Sequence, residues 1–220
     1  MSVEKKFIAS HKMMYIPKQY RVDNPKVIHQ FIREHGFATL VSCTEDYPIA
    51  THIPIELETR ADGETVLWGH IAKANHHWKF FEGFPQVLAI FQSPVHHYIS
   101  SSWYDHANAP TYNYMSVQVE GTIRRLNEAE EWESVKRLVR KYEKIATHPV
   151  DLETLPPAVQ REMKGLVGFE IEIIKMNAAF KLSQNRDDKN FKLIVEALSK
   201  QDSVIAKELA LIMEKNRTSE

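Results

Sequence analysis

The chain has 220 residues, 43% hydrophobic and 26% charged, enough to bury one substantial core. Its 28 Lys and Arg stand against 29 Asp and Glu, a formal net charge of -1, so no global positive field draws in a polyanion such as DNA. Cys43 is the only cysteine, which excludes an internal disulfide and any metal cage built on cysteines and fits a reducing cytoplasm. No stretch approaches the roughly 20 apolar residues of a membrane span, and the first residues lack the apolar core of a signal peptide, so the expectation is a cytoplasmic protein with no membrane partner.

In chain order, Asn24 and Pro25 read as the cap and first position of a short helix with Ile28, Phe31 and Ile32 as its apolar stripe and Gly36 as its stop. Residues 37–43 form a compact apolar run in which Cys43 is expected to be buried and inert, and Ile49, Thr51, Ile53, Ile55 and Leu57 alternate at strand period after a turn. A second turn at 61–64 leads into a strand at 66–71, making a meander. Asn75 caps a short helix carrying Trp78, Phe81 and Phe84, and strands follow at 87–91, 98–99 and 112–124. Asn127 with Glu130 resembles a capping box, and Trp132, Val135, Leu138, Val139 and Tyr142 recur at helical spacing behind it. After a Pro-rich connection, Val167, Phe169, Ile171 and Ile173 alternate as a last strand, and helices fill the C-terminus with a break near Gln201, Asp202 and Ser203. Short antiparallel strands with helices at their ends predict an α+β protein built on an antiparallel barrel. Neither GxGxxG nor GxxxxGK[ST] occurs, so a phosphate-bearing cofactor would need another device.

Three segments could carry chemistry. Residues 69–78 run from a strand into a helix start, where backbone N–H groups and Lys73 could dock a phosphate, or where Asn75 merely caps its helix and Trp78 packs. Residues 95–104 and 110–114 are dense in aromatic rings and small hydroxyls, which suits either a flat aromatic ligand or plain core packing. Residues 180–186 are polar and basic, suited to bidentate phosphate contact through Arg186 or to an exposed, capped connection. The eleven histidines raise a metal site, yet His76-His77 and His96-His97 are adjacent pairs whose side chains diverge, and no HExxH occurs. No metal site and no catalytic residue is assigned.

Taken in order, these segments resemble the PaiB-type family of FMN-binding negative transcriptional regulators. The match runs through Met14-Tyr15-Ile16-Pro17, Gly69-His70-Ile71-Ala72-Lys73-Ala74-Asn75 with Trp78, Tyr98-Ile99-Ser100 with Trp103-Tyr104, Pro110-Thr111 with Asn113-Tyr114, and Lys181-Leu182-Ser183-Gln184-Asn185-Arg186. The resemblance implies an antiparallel split β-barrel of the flavin reductase and pyridoxamine phosphate oxidase kind, with peripheral helices and a helical C-terminus. It also implies a homodimer with FMN in a groove at the subunit interface, and repression of protease production and sporulation. By position it makes His70, Lys73 and Asn75 the phosphate side, Ser100, Ser102, Trp103, Thr111 and Asn113 the ribityl or ring contacts, and Lys181, Gln184, Asn185 and Arg186 contributors from the same or the partner subunit. Lys73 stands where the family commonly has arginine, which keeps the charge without the bidentate fork. His76-His77, Ser101 and Tyr112 also depart from its pattern, which leaves a weak or vacant flavin site open.

The implied organisation is a barrel domain over 1–186 and a helical extension over 187–220 packed on it. An alternative function is an FMN-dependent oxidoreductase, or a haem-binding or haem-degrading relative. DNA is a partner the charge balance does not support. Lys136, Arg137, Arg140, Lys141 and Lys144 make one helix locally basic, but they interleave with glutamates as a solvated face would.

Overall fold

The computed structural model describes residues 14–60 and 62–217. The start read as lacking a signal core, up to residue 13, and Ala61 of the expected turn lie outside the described residues. Eight strands, β1 (Arg21–Val22), β2 (Phe37–Ser42), β3 (Ile49–Thr59), β4 (Thr65–Ala72), β5 (Gln86–Gln92), β6 (His97–Ile99), β7 (Thr111–Arg125) and β8 (Leu166–Lys181), lie in the order β1-β8-β4-β3-β2-β5-β7-β6. All neighbours are antiparallel, and a long β7–β8 ladder closes the sheet into a barrel. Closure satisfies backbone donors and acceptors that an open sheet would leave on its edges. Leu40, Ile55, Leu67, Phe91, Val117, Phe169 and Ile171 fill the interior and are fully buried.

The helices form where their caps predict. In α1 (Pro25–Glu34) Asn24 accepts from the Lys26 N–H, and Ile28, Phe31 and Ile32 are the buried face. In α2 (Glu128–Glu143) Asn127 and Glu130 complete a reciprocal capping box. The short α3 (Pro157–Glu162) follows. Beyond the barrel, α4 (Asp188–Ser199) and α5 (Val204–Arg217) are separated at Gln201, Asp202 and Ser203, and Phe191, Ile194, Leu198, Leu209 and Met213 join the hydrophobic core of the barrel itself.

Three local expectations change. The last strand does not stop near Ile173 but runs to Lys181, because a β-bulge opposite Glu120 and Gly121 shifts its register. Before the bulge the odd residues Val167, Phe169 and Ile171 are buried; after it the even residues Ala178 and Phe180 enter the core, while Ile174 is exposed. The strand carrying Cys43 ends at Ser42, so the thiol is exposed rather than buried. The helix expected after Asn75 is one 3-10 turn, His76–Phe80.

Helix α2 lies on the outer face of β4 and β8. Arg137 stacks its guanidinium over Trp68 at 4.9 Å, and the Gly168 N–H donates to Glu131 Oε1 at 2.9 Å. A Cβ at Gly168 would stand 2.8 Å from Glu131 Cγ, so the helix can sit this close only above a glycine.

Candidate functional site

The predicted residues form two groups. The first begins on β4, where Leu67 and Ile71 are buried on the barrel side and the period of two turns His70 to the outer face. There it borders a cavity of about 500 Å³ whose wall includes Trp132, Val135, Lys164 and Leu166. Burial holds the His70 imidazole below its ordinary pKa, and its Nδ1 is shut off from solvent without a hydrogen-bond partner. Lys73 follows the strand; its N–H donates to the Gly165 carbonyl at 2.7 Å and its carbonyl accepts from Trp78 Nε1 at 2.9 Å. Its ammonium has no hydrogen-bond or ion-pair partner among the described residues. Asn75 caps the 3-10 turn, accepting from the His77 N–H at 3.1 Å and donating Nδ2 to Thr51 Oγ1 at 3.2 Å.

What fixes this loop was not visible as a motif. His77 is fully buried, with Nδ1 2.8 Å from Thr51 Oγ1 and Nε2 2.8 Å from Ser42 Oγ. The network Ser42–His77–Thr51–Asn75 ties the loop to β2 and β3. Burial lowers the His77 pKa, so the ring is neutral and bridges two hydroxyls.

The second group forms where β6, β7 and β8 meet, with Ile99 opposite Thr111, His97 opposite Asn113, and Tyr114 opposite Lys181. Lys181 donates its ammonium to Thr111 Oγ1 and lies 5.7 Å from the Tyr20 ring centre. Burial, and then the neighbouring charge of Arg186, lower its pKa. Arg186 stacks over Tyr104 at 5.1 Å. Neither cation has a carboxylate partner among the described residues. Trp103 stacks on His97 with ring centres 6.3 Å apart, and the exposed Tyr98 and Tyr112 meet edge to face at 5.9 Å. Ser100 accepts from the Ser102 N–H at 3.2 Å and bonds its hydroxyl at 2.9 Å.

Two predicted residues serve the backbone here. Asn113 is fully buried and donates to Ser183 Oγ at 2.9 Å, holding the residue whose φ of 60° turns the chain out of β8. Gln184 closes that turn by accepting from the Leu182 N–H at 2.7 Å and donating to the Phe180 carbonyl at 2.6 Å. Asn185 is exposed beside them.

One chain does not unite the two groups. His70 lies opposite Gly168 and Tyr114 opposite Lys181, and the 13 residue steps along β8 from Gly168 to Lys181 correspond to roughly 40 Å of strand at about 3.3 Å per residue, less whatever the bulge and the barrel's curvature take up. Among the described residues no hydrogen bond, ion pair or ring contact joins the groups. Four of the five cations that make α2 basic meet carboxylates, Lys136 with Glu133 and Glu153, Arg137 with Glu58, Arg140 with Glu153, and Lys141 with the buried Glu56, which leaves Lys144 at the C-cap.

Unpaired cations beside stacked rings and hydroxyls suit an anionic aromatic ligand, and the closed antiparallel barrel that presents them is of the split-barrel class. The chain belongs to the family described as "Putative FMN-binding domain", whose model matches residues 14–175, and FMN is the cofactor this family supports. The match ends before Lys181, so the last part of the second group lies outside it. The chain is 40% identical over 202 residues to the Protease synthase and sporulation protein PAI 2 of Bacillus subtilis, covering 91% of this chain and 97% of that protein. Among solved structures, the flavocytochrome Anf3 from Azotobacter vinelandii has a TM-score of 0.60 at 14% identity, covering 83% of this chain and 80% of that one. The FAD and heme binding protein from Mycobacterium smegmatis has a TM-score of 0.57 at 12% identity, covering 74% of this chain and 73% of that one. At these identities the two structures share the fold.

Proposed function

We propose that the protein is an FMN-binding negative regulator of transcription that acts as a cytoplasmic homodimer, with each FMN held between the first group of one copy and the second group of the other. The carrying observation is the Lys181–Arg186 pair, two cations without a carboxylate partner among the described residues, beside an aromatic ledge and far along β8 from Lys73. In this reading Lys73 and Asn75 receive the phosphate, while His70, which the resemblance also put on the phosphate side, borders the cavity under α2 and supports the loop from behind. Ser100, Ser102, Trp103 and Thr111 contact the ribityl chain and ring, and Lys181, Arg186 and Asn185 reach across from the partner. Asn113 and Gln184 hold the second group's turn in shape. When bound, FMN supplies a redox-active isoalloxazine ring; the chain's own residues bind it, orient it and neutralise its charge.

The similarity to the Bacillus subtilis protein supports control of protease production and sporulation as the output. Because α2 spends its basic side chains on carboxylates, the regulator works through its ligand state rather than by laying this helix on DNA. Residues 1–186 then form the cofactor-binding domain and 187–220 its helical extension, and the core they share supports the packing of that extension on the domain. Titrating the purified chain with FMN by absorbance and fluorescence, beside fluorescence anisotropy on promoter DNA, tests the reading. Saturable FMN binding supports it, and no binding at micromolar FMN refutes it.

A further inference from the structure

The cavity beneath α2 has the makings of a second ligand site. Its walls are mainly apolar, formed by Trp132, Val135, Ala129 and Leu166, and its volume of about 500 Å³ lies in the range of small-molecule pockets. Its lining carries Glu128 and Lys164, which have no ion-pair partner among the described residues, and Glu131, whose carboxylate accepts from the Gly168 N–H, so carboxylates outnumber cations there. Of the other polar groups in the lining, Ser134 donates to the Glu131 carbonyl and Gln160 to the carbonyls of Leu152, Glu153 and Leu155, whereas His70 has a ring nitrogen with no partner. Since Nδ1 is buried with no acceptor to receive a proton, the neutral ring carries its proton on Nε2, which leaves that N–H as the donor available to the cavity. The cavity is continuous with the proposed phosphate loop through the chain: Lys164 and Leu166 flank Gly165, whose carbonyl holds the Lys73 N–H at 2.7 Å, and His70 precedes Lys73 on β4.

We propose that this cavity binds an uncharged, ring-bearing small molecule with one hydrogen-bond acceptor, stacked near Trp132 and accepting from His70, and that its occupancy is passed to the Lys73 loop through β4 and Gly165. The coupling rests on the reading that FMN docks at Lys73; the pocket itself does not. Acetophenone, a ring with one carbonyl, is the probe, and benzoate is its charged counterpart. Trp132 fluorescence reports binding in the full chain, with Trp132→Phe identifying the signal, before and after saturation with FMN.

Acetophenone quenches saturably with a Kd below about 1 mM, and benzoate binds at least about tenfold more weakly because its charge loses water in an apolar pocket. Replacing the exposed Ala129 (A129F) plugs the mouth and abolishes quenching while leaving the affinity for FMN unchanged. Removing the donor (H70F) weakens acetophenone by about tenfold, and FMN saturation shifts the acetophenone Kd. Absence of saturation, equal or tighter binding of benzoate, or unaltered quenching in A129F overturns the pocket. Displacement of FMN by acetophenone overturns its separateness, and a Kd indifferent to FMN overturns the coupling. If the wild-type chain binds acetophenone but no FMN, the cofactor reading falls and the pocket stands.

Discussion

Replacing His77 with Phe keeps a ring against Phe81, which it meets edge to face at 5.5 Å, but removes both hydrogen bonds of a fully buried bridge. The Ser42 hydroxyl, itself buried, loses its imidazole partner, and Thr51 keeps only the Asn75 amide. An unsatisfied buried hydroxyl and a lost bond together cost about 2–4 kcal/mol at pH 7.5. The cost depends on pH with a definite sign. Burial lowers the folded-state pKa of His77, so below its ordinary value of 6.5 the unfolded chain takes up a proton that the folded chain resists. The stabilisation is complete above that value and is lost as pH falls toward the folded pKa. At pH 5 the loss from one such histidine is at most about 2 kcal/mol, with a limiting slope of about 1.4 kcal/mol per pH unit. Urea denaturation followed by tryptophan fluorescence at pH 5, 6, 7 and 8 reads both chains. The gap between wild type and His77→Phe narrows on acidification because the variant lacks the titrating group. A gap that stays constant from pH 8 to pH 5 refutes the neutral, buried bridge.

Other consequences follow from single contacts. Burial and the bond to Glu56 push the Tyr142 phenol up to about 12, so ultraviolet titration shows a late phenolate step that Tyr142→Phe removes. A methyl group at Gly121 would meet the Glu172 carbonyl at 2.5 Å at the bulge, so Gly121→Ala lowers stability by about 1–3 kcal/mol, read as a fall in Tm. Alanine at Lys181 or Arg186 weakens FMN by about tenfold or more in fluorescence titration, whereas Lys73→Arg binds at least as well as wild type because the fork suits a phosphate.

Much of the fold was legible because its signals are local. Asn24-Pro25 and Asn127 with Glu130 are caps whose chemistry spans three residues, and the alternation in β3 and β4 needs only one buried face. The second half of β8 was hidden because its bulge reverses the parity on which such reading depends. In the first group, Lys73 and Asn75 were legible as a strand-to-helix junction, but the bridge behind them joins residues 35 and 26 positions apart, beyond the reach of any spacing rule. Trp132 escaped notice as a site residue because it read as helix stripe, and Lys164 sits in no motif; only the packing of α2 over Gly168 brings them to His70. The separation of the two groups depends on the length of β8, which the sequence understated.

The central claim, a cofactor shared between copies, is tested most directly by subunit mixing. Chains carrying Lys73→Ala are co-expressed with chains carrying Lys181→Ala and Arg186→Ala, the mixed dimer is isolated through two different tags, and tight FMN binding is counted per dimer. If each site takes its two groups from different copies, one site of the mixed dimer carries all the substitutions and the other carries none, so one FMN binds with wild-type affinity. No tight binding in the mixed dimer, with the parent dimers equally impaired, contradicts the account, because it would put both groups of every site in a single chain.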